Sequence, residues 1–138
     1  MGLYLCVFDE NNEDICGLEV GLYKYFAEFR GLVAQYVDSG KFMSSMSTLL
    51  NHLDCDGSWN VRECRQLKAE LEEIKQVFMK EPLSPQIAAL KQDIFKFYGI
   101  KPKNLFECFI DSDCEFLIDR LIELCNLATK KNRPIVFQ

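Results

Sequence analysis

The stretch Gly2–Phe8, Gly-Leu-Tyr-Leu-Cys-Val-Phe, limits the possible folds more than any other part of the chain. Alternate side chains of a strand point to opposite faces, and here both sets are apolar: Leu3, Leu5 and Val7 on one side, Tyr4, Cys6 and Phe8 on the other. Such a strand is expected to be covered on both faces and flanked by neighbours. Pro134-Ile135-Val136-Phe137-Gln138, after a basic loop, is a second short apolar run and would tie the two chain ends into one sheet.

The 138 residues, 49% hydrophobic with eleven Phe and five Tyr, suffice for one core and argue against disorder. A net charge of −5 disfavours direct binding to nucleic acid, which needs clustered Lys and Arg, and suits a basic protein partner instead. No apolar run approaches the roughly 20 residues that span a bilayer, and no basic region precedes the first apolar residues. The expectation is a cytoplasmic chain with no membrane contact. Seven cysteines, an odd number scattered among apolar neighbours, read as reduced core residues in the same compartment.

Asp9-Glu10-Asn11-Asn12-Glu13-Asp14 is a polar break, after which Cys16, Leu18 and Val20 alternate on one face, so the chain opens with a β-hairpin. Residues 22–37 carry Leu22, Tyr25, Phe26, Phe29, Leu32, Val33, Tyr36 and Val37 at helical spacing, ending at Ser39-Gly40. Residues 42–53 read as a short helix plus loop. Asp54-Cys55-Asp56-Gly57-Ser58-Trp59 has turn chemistry, and Asn60-Val61-Arg62-Glu63 has the form of a capping box. The helix it opens has a stripe of Cys64, Leu67, Leu71, Ile74 and Phe78 and stops before Pro82. Ser84-Pro85 starts another, with Ile87, Leu90, Ile94, Phe97 and Tyr98 on its expected inner face and Gly99 as its stop. Residues 105–110 read as a strand. Ser112-Asp113-Cys114-Glu115 resembles a second capping box, opening a helix whose apolar arc includes Leu117, Ile118, Leu121, Ile122, Leu124, Cys125 and Ala128. The fold class is therefore α+β, with a small sheet made of the N-terminal hairpin and the C-terminal strand packed against about four helices.

No pattern of residues is a catalytic signature. His52, Cys55 and Cys64 have metal-ligand chemistry but not the tight spacing of a tetrahedral site, and Cys64 falls on a core stripe. Asp54, Asp56, Asp111, Asp113 and Glu115 could serve a carboxylate-dependent or metal-dependent hydrolase, although acids near a helix start also cap it. A structural adaptor subunit is a third reading. Charge is more informative. Asp9, Glu10, Glu13, Asp14 and Glu19 form one acidic stretch, and Glu107, Asp111, Asp113, Glu115 and Asp119 a second; basic residues gather elsewhere, at Lys91, Lys96, Lys101, Lys103 and residues 130–133. If the two stretches are neighbours in space, they make an acidic face able to steer a basic protein.

The opening Met-Gly-Leu-Tyr-Leu-Cys-Val-Phe, the Asp56-Gly57-Ser58-Trp59 turn, Cys108-Phe109-Ile110-Asp111-Ser112-Asp113 and the closing Arg133-Pro134-Ile135-Val136-Phe137-Gln138 occur in the order found in a family of bacterial immunity proteins. The chain resembles that family along nearly its whole length, residues 1–138 forming one immunity-protein-like domain. Members are encoded beside polymorphic or contact-dependent toxins. The resemblance implies a non-enzymatic, cofactor-free and metal-free inhibitor that binds its cognate toxin domain, such as a basic nuclease, and occludes it. On the charge pattern the toxin-binding residues are expected among Asp9, Glu10, Glu13, Asp14, Asp111, Asp113 and Glu115, with Trp59 as an aromatic anchor. Where the family often has Gly after the second aspartate of the Asp-x-Asp segment, this chain has Cys114.

Overall fold

The computed structural model describes residues 2–38, 47–52 and 57–138. Gly2–Phe8 forms β1, and the polar run after it reverses the chain into β2, Asp14–Leu22, with Leu5 opposite Leu18 and Cys6 opposite Gly17. Two short strands complete the sheet: β3, Ser58–Trp59, and β4, Ile135–Phe137. All pairings are antiparallel, in the order β2-β1-β4-β3, so both ends of the chain do lie side by side at the centre of one sheet. Ser58 and Trp59 form β3 instead of part of the expected turn, and a pair of residues is too short to display an alternation.

Leu3, Leu5 and Val7 of β1, Leu18 and Val20 of β2 and Ile135 and Phe137 of β4 share one core with the buried faces of the helices. The expectation of cover on both faces is corrected. Across the sheet Cys6 is buried outside that core, Tyr4 and Phe8 are half-buried, and Ile15 and Glu19 are exposed. The cover there is local: the Tyr4 ring lies over Gly17, where an added Cβ would come within 2.1 Å of the phenol oxygen, and its hydroxyl donates to Asp14 Oδ2 at 2.6 Å. Antiparallel sheets with one open face are common, and β1 is apolar on that face because its central position lets neighbouring strands shield it.

Six α-helices lie among the described residues: α1 Tyr23–Val33, which runs on into a π-helical turn at Ala34–Asp38, α2 Ser47–Leu50, α3 Val61–Lys80, α4 Pro85–Leu90, α5 Gln92–Tyr98 and α6 Leu117–Lys131. The α3 stripe is fully buried as expected, and its Asn60–Glu63 capping box is present with both reciprocal hydrogen bonds. Glu70 on the same face is buried too, accepting from the Thr48 and Leu49 amides, so a carboxylate serves the free N–H groups at the start of α2. The α6 arc is buried against α3 and the sheet, except that Ile122 is half-buried. The Ser39-Gly40 stop and most of the segment 42–53 lie outside the described residues, as do Asp54, Cys55 and Asp56.

Three expectations change. Residues 105–110 contain a 3-10 turn, Phe106–Cys108, followed by a single bridge from Ile110 to Phe116, rather than a strand. Ser112 to Glu115 do not cap α6, which starts later, after Phe116 and without a side-chain cap. The helix after Ser84 is broken at Lys91, whose φ of −104° and ψ of 9° divide it into α4 and α5. The break changes which side faces inward. Ile87, Lys91 and Phe95 are buried, while Leu90 is 67% and Phe97 82% exposed. The outer edge of β2 is closed by polar contacts: Arg120 Nη2 donates to the Gly17 carbonyl at 3.3 Å and the Ser112 amide to that of Glu19 at 2.9 Å. A long strand edge with spare carbonyls invites pairing with other chains, and these donors occupy two of them.

Candidate functional site

The two acidic stretches are built on the same five-residue turn. In the first, Asp9 Oδ1 accepts from the amides of Asn11 and Glu13, the Asp9 amide donates to Glu13 O at 2.8 Å, and Asn12 takes a left-handed φ of 59°. In the second, Asp111 Oδ1 accepts from the amides of Asp113 and Glu115, the Asp111 amide donates to Glu115 O at 2.9 Å, and Cys114 takes a φ of 64°. An aspartate that bonds the backbone two and four residues on, followed by a left-handed residue, is a stable way to reverse a chain in a tight loop. The first aspartate of each turn is therefore occupied in holding it.

Both turns lie along β2. The first leads directly into Asp14, and the second docks at Glu19 through Ser112. At about 3.3 Å per residue these points are about 17 Å apart along the strand, within the roughly 30 Å width of a standard protein interface. The side chains left exposed are Glu10, Glu13, Glu19, Asp113 and Glu115. Asp14 is exposed but accepts the Tyr4 hydroxyl. Asp111 is buried and meets Arg120 Nε at 3.1 Å, and Arg133 fastens the first turn by donating to the carbonyls of Phe8 and Asp9 at 3.0 Å each.

Trp59 does not lie at the surface. It is 0% exposed, donates from its indole to Thr48 O at 3.1 Å, and packs against Phe137 and His52. It is a core residue of β3, with no ring surface to offer a partner.

A cleft of about 100 Å³, open to solvent on one side, lies beside the second turn, between the end of β2, α1, α5 and the segment 108–112. Its walls include Tyr25, Tyr98 and Phe109, and the sequence reading did not single it out. Lys91 reaches into its lining from the break between α4 and α5, although it was expected on a basic surface. Nζ of Lys91 stands 4.2 Å from the Phe109 ring centroid and 3.8 Å from Glu28 Oε2, a buried oxygen that makes no hydrogen bond. Burial pushes the Lys91 ammonium below the usual lysine range, against the opposing pull of Glu28. The only sequence signal was a lysine four residues from Ile87 and four from Phe95, which becomes legible once the break is known.

Among the described residues, Asp111 is the one carboxylate considered for catalysis that lines the cleft. Asp113 is exposed, while Asp111, at the cleft wall, is committed to two amides and Arg120; Asp54 and Asp56 lie outside the described residues. No group of three His, Cys, Asp or Glu side chains able to hold a metal occurs among the described residues. Cys64 donates to Trp59 O within the core, and the His52 ring stacks on Phe137 at 4.1 Å.

No curated protein and no solved structure matches the chain significantly. The family model of immunity protein 70 matches residues 3–137, from the first core position of β1 to the last of β4. A match over nearly every residue places the sequence within one family: this chain belongs to the immunity protein 70 family.

Proposed function

We propose that the protein neutralises a cognate bacterial toxin domain in the cytoplasm by binding it directly through the acidic edge of β2 and the cleft beside it. The observation that carries this is the placement of two copies of one acidic turn along a single strand, with an aromatic cleft next to the second. Exposed Glu10, Glu13, Glu19, Asp113 and Glu115 provide the charged rim, and half-exposed Tyr98 beside exposed Phe97 provides apolar contact area, an arrangement that suits an interface with a desolvated centre and polar margin. A toxin that binds nucleic acid has a basic surface of the complementary sign, and occlusion of that surface removes its access to substrate. The reading needs binding alone, with no cofactor and no reaction.

Co-expression with the toxin domain encoded beside it tests the reading, through cell survival and recovery of a complex. Reversal of Glu10, Glu13, Asp113 and Glu115 to Lys is expected to slow association at least about tenfold at low salt and to flatten its salt dependence, while leaving the fold intact. Asp9 and Asp111 are left alone because they hold the turns. A folded, active toxin that forms no complex and is not neutralised would refute the proposal.

A further inference from the structure

We infer that the cleft holding Lys91 is an anchor pocket for a tyrosine side chain of the toxin partner, an assignment that rests on the immunity reading above. Lys91 occupies the inward position between Ile87 and Phe95, with only 7% of its side chain exposed, while Leu90 and Phe97 on the same pair of helices are left in solvent. Apolar residues were available for that inward position, and a lysine there costs desolvation with little return in stability. Its ammonium faces aromatic rings and stands 3.8 Å from Glu28 Oε2, an ion pair beyond hydrogen-bond reach, and among the described residues no atom accepts a hydrogen bond from it. An ammonium in the lining of an open cleft, with its nearest carboxylate too far away to accept a hydrogen bond, is suited to an acceptor that arrives with a ligand.

The walls select what carries that acceptor. Tyr25, Tyr98 and Phe109 favour an aromatic ring, which packs edge-to-face against other rings. Glu28 beside Lys91, Asp111 in the wall and the acidic turn at the mouth disfavour a carboxylate. A phenol combines a ring with a neutral oxygen that can accept from Nζ of Lys91. Its position at the end of the acidic edge makes the pocket continuous with the surface proposed to meet the toxin, and tyrosine is among the residues that most often dominate such interfaces.

The side-chain analogues p-cresol, toluene and 4-methylbenzoate test the assignment, titrated into the intact protein while the amide resonances of Gly21 and Ser112 are followed. The expected order places p-cresol about tenfold or more above toluene, the difference a hydrogen bond to a charged donor makes, with 4-methylbenzoate weakest. Lys91→Met should abolish the preference of p-cresol over toluene. If that variant does not fold, the ranking in the native protein still decides. Equal binding of p-cresol and toluene, tighter binding of 4-methylbenzoate, or no binding overturns the assignment. With the toxin domain, the same two amides should shift and p-cresol should be displaced. A neutralised complex that leaves Gly21 and Ser112 unshifted overturns the anchor pocket alone, whereas the absence of any complex overturns the immunity reading together with it.

Discussion

At Cys114 a left-handed φ of 64° is imposed on a residue with a Cβ, while the equivalent position of the other acidic turn is held by Asn12, which tolerates that conformation better. The turn closes because Asp111 supplies acceptors to the amides at 113 and 115, so the strain at Cys114 is sustained by hydrogen bonds around it. Replacing Cys114 with Gly relieves about 1–2 kcal/mol of conformational strain, offset in part by the greater freedom of glycine in the unfolded chain. Cys114→Gly is therefore expected to stabilise the protein by about 0.5–1 kcal/mol, read as a rise in the urea midpoint at unchanged slope. A fall in the midpoint would mean that the exposed thiol makes a contact the turn depends on. The resemblance to immunity proteins had already marked position 114 as a departure, and the backbone angle gives the physical reason a glycine suits it. At Asp111 the sequence suggested a partner contact, but a short-range pattern of acids does not reveal which carboxylate the backbone will use.

Among the elements, α3 was the most legible, since twenty residues with a regular apolar stripe leave few alternatives to a buried amphipathic helix. Its capping box was legible for the same reason: Asn60 and Glu63 act on backbone groups within one turn. Asn60→Ala leaves the Glu63 amide without its acceptor and is expected to cost about 1 kcal/mol, measured by thermal or urea unfolding. A change below about 0.3 kcal/mol would show that packing of the stripe alone fixes where α3 begins. The segment after Ser84 is the opposite case. Its apolar residues fit one continuous helix, yet the break at Lys91 alters the phase, exposing Leu90 and Phe97 and burying a lysine. Contacts of Lys91 with Phe109 and Glu28 come from chain segments far away in sequence, so no local pattern could indicate them. For that reason the cleft leaves no mark in the sequence, whereas the acidic stretches around it are plain there.

For the molecule as a whole, the buried thiols form a set that responds to pH in one direction. Burial pushes Cys6, Cys64 and Cys108 up from 9.0 to about 11 and raises Cys125 further, and the bond to Asp14 with burial takes Tyr4 from 10.0 to about 12. Below pH 9 folded and unfolded chains both keep these protons. Above it the unfolded chain releases them first, so stability is expected to fall across pH 9 to 11 for the thiols and pH 10 to 12 for Tyr4. Lys91, with its lowered ammonium, acts in the opposite sense and offsets part of this loss. Urea midpoints measured from pH 7 to 11 check it; a flat profile would mean that the cysteines are not kept from water when the protein is folded. The α+β class and the faces of α3 and α6 were determined by the sequence alone, because each follows from spacing within single segments and from the need to bury an apolar stripe. Only the tertiary structure decided which sheet face stays open, that both acidic turns lie along β2, that Trp59 belongs to the core, and that Lys91 lines a cleft. Those outcomes depend on contacts between residues distant in the chain, where one change of helical phase or one strand pairing moves a side chain from solvent to interior.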